Sequence, residues 1–263
     1  MQNLAKLLTK NEKPAANWIN ITGIGKRRKT LTALEIAEKC NSLYIDLERG
    51  TDVYKSTVAH VANAGEINTL IKAINADKAF FDVIIIDPLD DLAAMIIKGV
   101  LSYNNQSDLS EIKKQGVGNG WTIVYNSFTD KIKELIRHCK ILITITHLKL
   151  RVISKDETSQ ISTADFNLIG QMKSFLNDKA DAHLIFEQKK EKGGKVSIKI
   201  STSSDTHRTT FGSRGGVLDN LFNIKNPEDF KKFILESVGV DDVDIPMVDK
   251  EFVKELKKKK KEK

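Results

Sequence analysis

At 263 residues, 40% apolar and 29% charged, the chain has the size and composition of a globular protein with one large domain, or one domain and a small appendage. No apolar run approaches the roughly 20 residues that span a bilayer. The first residues, MQNLAKLLTKNEKP, are too interrupted by polar side chains for a secretory segment, so no membrane role is expected and a cytoplasmic location is. Two cysteines, Cys40 and Cys139, lack metal-ligand spacing and read as buried free thiols of a reducing compartment. The formal charge is +7, and the last thirteen residues, Glu251–Lys263, hold seven Lys against three Glu. More than half of the excess therefore lies in a basic tail, which either holds phosphates in a salt-dependent way or is a solvated end.

Strand and helix signals alternate over the first 200 residues or so, the pattern of an α/β protein with a mainly parallel sheet. Trp18–Thr22 is a short β-rich run entering a glycine loop, and Lys29–Lys39 has helical spacing. Leu43–Leu47 reads as a strand ending in Glu48-Arg49-Gly50, and Ile67–Ala76 as a helix. Phe81–Ile86, the most apolar run, is a buried strand ending at Asp87, with a helix over Leu89–Leu101. Ser102–Gly120 loses its apolar period and reads as a mobile loop. An amphipathic helix over Trp121–His138 leads into a buried strand, Ile141–Thr146. Lys149–Asp165 is polar again and expected to be mobile. Ala182–Gln188, Lys195–Thr202 and Thr209–Phe211 read as antiparallel strands, the first two joined by a turn at Glu191–Gly194. Pro227–Ser237 is helical with Pro in the first turn, and an acidic linker, Asp241–Asp244, precedes the basic tail.

The stretch Ile21–Thr32, ITGIGKRRKTLT, approximates the phosphate-binding pattern G-x-x-x-x-G-K-[ST] between a strand and a helix. Gly23 fills the first position and Lys29-Thr30 the last two, while Arg28 replaces the second glycine. Such a loop works because backbone N–H groups at a helix N-terminus point at phosphate oxygens. The phosphate-binding candidates are Gly23, Gly25, Lys26, Arg28, Lys29, Thr30 and Leu31. Lys29 would reach the β/γ-phosphates and Thr30 would bind Mg²⁺. If the turn at residue 28 requires positive φ, Arg28 puts a Cβ where glycine's freedom is needed, and affinity or loop geometry suffers. Fifty-seven residues after Thr30, FFDVIIIDPLDDL places Asp87 at the end of an apolar strand, suited to Mg²⁺ and its water. The order of loop, then strand ending in Asp, predicts ATP with Mg²⁺ as the cofactor pair.

Four further runs extend the match. SLYIDLERGTDVY resembles the RecA-family strand that ends in a glutamate, FDVIIIDPLDDL its Walker B strand, and KILITITHLK the next core strand, whose end carries a polar sensor. KADAHLIFEQKKEKGGKVSIKI resembles the antiparallel strands that close the RecA core. From about Trp18 to Arg214 the chain is similar to RecA-like P-loop ATPases, and its length is closest to the small phage members linked to single-strand annealing and recombination. The resemblance implies a RecA-like core with a mainly parallel sheet, helices on both faces and a C-terminal antiparallel extension. It spans residues 1–225, followed by a helical extension with a Lys-rich tail over 226–263.

By position, the resemblance makes Glu48 the base that orients the attacking water and His147 the sensor. The plainer readings are a solvent-exposed carboxylate and a structural histidine. Lys189, Lys190, Arg208 and Arg214 fall where relatives place residues that reach a neighbouring subunit's phosphates. Ser102–Gly120 and Lys149–Asp165 fall at the family's DNA-contacting loops, with Lys113, Lys114, Lys149, Arg151 and Lys155 as phosphate contacts. Only Tyr103 in these loops offers a stacking ring, so backbone rather than base contacts are expected. The implied partners are single-stranded DNA, further copies of the chain in a ring or filament, and a single-strand-binding or replication protein. For a phage-encoded chain the location is the host cytoplasm. A catalytically inactive P-loop platform and a helicase-like or helicase-loader ATPase are the competing readings.

Overall fold

The computed structural model describes residues 18–25, 28–49, 51, 58–114, 118–152, 162–190, 196–201 and 224–240. In chain order the strands are β1 (Trp18–Gly23), β2 (Ser42–Asp46), β3 (Val58–His60), β4 (Phe81–Asp87), β5 (Lys113–Lys114), β6 (Gly118–Asn119), β7 (Cys139–Val152), β8 (Ser162–Phe166), β9 (Ala182–Lys190) and β10 (Val196–Ser201). The helices are α1 (Lys29–Ala37), α2 (Ala64–Asp77), α3 (Leu89–Asn104), α4 (Gly120–Ile136), α5 (Gly170–Lys179) and α6 (Pro227–Val238), with a 3₁₀ turn over Leu109–Glu111.

The main sheet runs β10-β9-β1-β7-β4-β2-β3. All its pairs are parallel except β10 with β9, and β8 adds an antiparallel partner to the far end of β7. Helices cover both faces, because the central strands are apolar on both. In β4, Ile84 and Ile86 enter one core with α2, α3, α4 and α5, while Val83 and Ile85 enter the other with α1 and α6. Each such fully buried side chain contributes about 1.5–3 kcal/mol. Held from two sides, β4 is a fixed arm carrying Asp87. This is the α/β architecture expected from the sequence, a mainly parallel sheet with an antiparallel edge.

The register of β1 against β7 is set by a buried polar ladder. The Trp18 indole N–H donates to Thr144 Oγ1 (3.0 Å), the Thr144 hydroxyl to Asn20 Oδ1 (2.9 Å), and the Asn20 amide to Thr146 Oγ1 (3.1 Å). A one-residue slip would turn these groups to the other face and leave them unsatisfied. The register so fixed puts Gly23 beside His147.

Several expectations change. Ser102–Gly120 is not simply a mobile loop: α3 runs to Asn104, Asp108 caps the 3₁₀ turn, and β5 pairs with β6. Gly120 allows this packing, since a Cβ there would stand 2.4 Å from the Leu109 carbonyl oxygen. The ends of Lys149–Asp165 are strands too, with Lys149 opposite Asp165. The described parts of both polar segments therefore pair as antiparallel strands. Strand β3 and helix α5 carry no clear sequence signal and emerge only in the fold. The turn at Glu191–Gly194 and the run Thr209–Phe211 lie outside the described residues. Among those described, no helix is long and apolar enough to cross a membrane. Both cysteines are free, and burial pushes each thiol up to about 12, so neither is a ready nucleophile.

Candidate functional site

Three strand ends, those of β1, β2 and β4, meet at the carboxyl edge of the sheet beside the point on β7 that faces Gly23. Gly23 has φ 151°, and a Cβ on it would meet the Phe186 carbonyl oxygen at 2.5 Å, so both backbone and space require glycine there. Gly25 has open space around it. Lys26 lies outside the described residues. Helix α1 begins at Lys29, and the N–H groups of its first turn (Lys29, Thr30, Leu31) have no carbonyl partner within the helix. The Lys29 side chain is buried and folds back over the loop, donating from Nζ to the Gly23 carbonyl at 2.8 Å and the Ile24 carbonyl at 3.3 Å. Arg28, in the position of the missing glycine, has φ 62° and ψ 12°. The turn does demand the left-handed region, and arginine adopts it. The Arg28 guanidinium lies 4.0 Å from Glu35 on α1.

Asp87 is buried at the end of β4 and accepts hydrogen bonds from the hydroxyls of Tyr44 (2.5 Å) and Thr30. Burial pushes its carboxyl above the usual range, against the lowering effect of those hydrogen bonds and of nearby Lys29. Thr30 and Asp87, assigned to the same metal from opposite ends of the motif, are thus brought together.

Glu48 is exposed just beyond β2. Its position is set by buried Asp46, whose carboxylate accepts the N–H of Glu48 (3.1 Å), the N–H of Thr51 (3.0 Å) and the Thr51 hydroxyl, and lies 3.4 Å from His60 Nδ1. Arg49 follows at φ 56°, so arginines in left-handed conformation occupy both loops of this edge. Partial burial raises the Glu48 carboxyl above its ordinary value, as do Asp91, Asp87 and Asp90, with His147 opposing.

His147 is held by Asp90, in the first turn of α3. Asp90 accepts the His147 backbone N–H at 3.1 Å, lies 3.1 Å from its Nδ1, and accepts the Asn167 amide at 3.2 Å. The Asp90 hydrogen bond raises the imidazole above its ordinary 6.5, against burial and the charge of Lys29. For Asp90, burial opposes ionisation, but the bonds to His147 and Asn167 outweigh it and the carboxyl sits below its ordinary value. Asn167 closes the circuit by donating its N–H to the His147 carbonyl at 2.9 Å.

Asp46, Tyr44, Asp90 and Asn167 were not singled out as site residues by sequence reasoning. The signal for Asp90 was its place in DPLDDL, an acidic first turn after the Asp strand; the others have none. The remaining candidates, where described, fall on other elements or further along β7. Lys189 and Lys190 are on β9, Lys113 and Lys114 on β5, Lys149 and Arg151 on β7. The side chains of Lys114, Lys190 and Arg151, and all of Lys155, Arg208 and Arg214, lie outside the described residues.

The residues fit a nucleotide with Mg²⁺. A glycine without room for Cβ, a helix N-terminus and an adjacent lysine form an anion cradle, and a hydroxyl paired with a carboxylate stands beside it. Among the described residues no group of three or more His, Cys, Asp or Glu is arranged to hold a metal alone. Mg²⁺ takes one or two protein oxygens, as Thr30 and Asp87 would supply, and completes its shell with phosphates and water.

The family comparison agrees with this chemistry. No curated protein sequence matches the chain. Among solved structures it is similar to the flagellar accessory protein FlaH from Methanocaldococcus jannaschii, at 14% identity and a TM-score of 0.40, over 72% of this chain and 78% of that one. The family model described as AAA domain (AAA_24) matches residues 17–211, from β1 through the Asp strand to beyond β10. The chain therefore belongs to the AAA domain family of P-loop ATPases.

Proposed function

We propose that the chain binds ATP with Mg²⁺ at the β1–α1 edge, hydrolyses it, and uses the cycle on single-stranded DNA in recombination, annealing or replication, as a homo-oligomer. The observation that carries the reading is the convergence of Lys29, Thr30, Asp87, Glu48 and His147 on one sheet edge. Lys29 would leave the loop carbonyls for phosphate oxygens, and Thr30 with Asp87 would hold Mg²⁺, which supplies charge neutralisation. Glu48, on a loop fixed by Asp46, would orient the attacking water. His147 would sense the terminal phosphate and, through Asp90 and Asn167, relay its state to the β7–β8 hairpin. DNA contact by Lys113 and Lys149 is supported by their exposed positions on strands β5 and β7.

The test is Mg²⁺-dependent ATP hydrolysis with and without single-stranded DNA, in wild type and Lys29→Ala. DNA-stimulated hydrolysis that falls at least 100-fold in the variant is expected. Equal turnover by both proteins, unaffected by DNA, refutes the motor reading. Arg28 in its left-handed conformation favours one alternative, a P-loop platform that assembles without turnover. That reading expects DNA complexes independent of nucleotide.

A further inference from the structure

The β5–β6 hairpin and the segment leaving β8 converge on a cavity of about 320 Å³ that no part of the ATP site uses. Its rim comes from two helix starts. On α4 stand Trp121, 41% exposed, Thr122 and Tyr125; at α5 stand Ile169, also exposed, and Gln171. Large aromatic and aliphatic side chains usually bury themselves, so an exposed tryptophan facing an apolar recess requires a reason.

The recess is built to keep its shape. Gly120 packs against Leu109, and its N–H donates to the Ile112 carbonyl (3.1 Å). Asn119 caps α4, its Oδ1 accepting the N–H and hydroxyl of Thr122. Tyr125 is anchored edge-on against buried Phe175 at 6.3 Å. The cap uses only the oxygen of Asn119, so its NH₂ is a donor at the rim, and Gln171 adds a second amide. Lys113, exposed, is the cross-strand partner of Asn119.

An indole face, two amides able to meet donor and acceptor edges, and a lysine alongside are the chemistry of one nucleobase followed by its phosphate. We infer that this cavity is a base-stacking site for an unpaired nucleotide of a single strand, with Trp121 as the platform and Lys113 on the adjoining phosphate. Lys113, across the strand pair from the lining residue Asn119, is a charge that a phosphate complements, whereas protein interfaces deplete lysine. The site lies where both polar segments, Ser102–Gly120 and Lys149–Asp165, end, and it adds an indole to the one ring, Tyr103, that those segments carry. It deepens the single-strand reading above and rests on it.

The test uses an oligo(dT) strand and an abasic strand of equal length, with Mg²⁺ and a non-hydrolysable ATP analogue. Trp18 is buried and Trp121 exposed, so quenching by the strand reports on Trp121. Oligo(dT) is expected to quench the emission and the abasic strand to leave it unchanged. Trp121→Ala should bind oligo(dT) about 5- to 150-fold more weakly, with abasic binding unaltered. Trp121→Phe should recover most of the loss, which a merely misfolded site would not. Binding of oligo(dT) by Trp121→Ala at wild-type strength overturns the inference while leaving the single-strand reading intact. So does a changed oligomeric state in that variant with DNA affinity unchanged, which would make the recess a protein interface. If wild type binds neither strand, the single-strand reading itself fails and the inference falls with it.

Discussion

Arg28 is a point at which the loop's cost can be measured separately from its function. At φ 62° an L-residue pays roughly 1–2 kcal/mol over its right-handed alternative. Replacing Arg28 by Ala keeps that strain and removes only a half-exposed contact to Glu35 at 4.0 Å, worth less than about 0.5 kcal/mol. Glu35 keeps its bond to Lys231 on α6. Replacing Arg28 by Gly removes the same contact and the strain as well, but adds about 0.4–1 kcal/mol of unfolded-state freedom. The two variants differ only in a Cβ, and the balance leaves Gly more stable than Ala by roughly 0.5–1 kcal/mol. For a chain of this size that is a Tm difference of about 1–4 °C. Urea unfolding of wild type, Arg28→Ala and Arg28→Gly reads it directly, as a shift of midpoint at constant m-value. Arg28→Gly should also bind an ATP analogue more tightly, because the loop regains its freedom to close on phosphate. An alanine variant as stable as the glycine variant would show that residue 28 is not strained, and the account of the degenerate loop would fail.

Gly23→Ala should cost at least about 2 kcal/mol, since its Cβ would meet the Phe186 carbonyl oxygen at 2.5 Å; a loss below 0.5 kcal/mol by the same urea assay would mean that β9 moves aside freely. The His147–Asp90 pair predicts a pH window of stability. The raised imidazole contributes fully below its ordinary 6.5, and this is lost as pH rises through the folded value. The lowered carboxyl contributes above its ordinary 3.8, and this is lost as pH falls through the folded value. Urea midpoints from pH 2 to pH 8 should therefore decline at both ends in wild type, with both declines reduced in Asp90→Asn; parallel profiles would refute the coupling.

The apolar strands β1, β4 and β7 were legible because runs such as VIII and ILITIT can be satisfied only by burial on both faces. The phosphate loop was legible because its chemistry is local, from glycine, lysine and threonine within eight positions. Pattern reading failed where it had no period to use: two-residue strands, the three-residue β3, and α5, whose polar sequence GQMKSFLNDK buries only Met172, Phe175 and Leu176. Ser102–Gly120 and Lys149–Asp165 read as loops because they are mostly polar, although β5 pairs with β6 and the far end of β7 with β8.

By itself the sequence determined the fold class, the nucleotide loop and the Asp strand, since burial, turn chemistry and strand ends are properties of short segments. Tertiary structure alone decided what these segments meet. The Asn20–Thr144–Thr146 ladder set the register that places His147 against Gly23, Asp46 fixed the Glu48 loop, and Asp90 reached His147 and Asn167, 57 and 77 residues further along the chain. It also decided that Trp121, at a helix start like any other in the sequence, faces a recess rather than the core. A contact between distant residues depends on the packing of everything between them, and no local pattern encodes it.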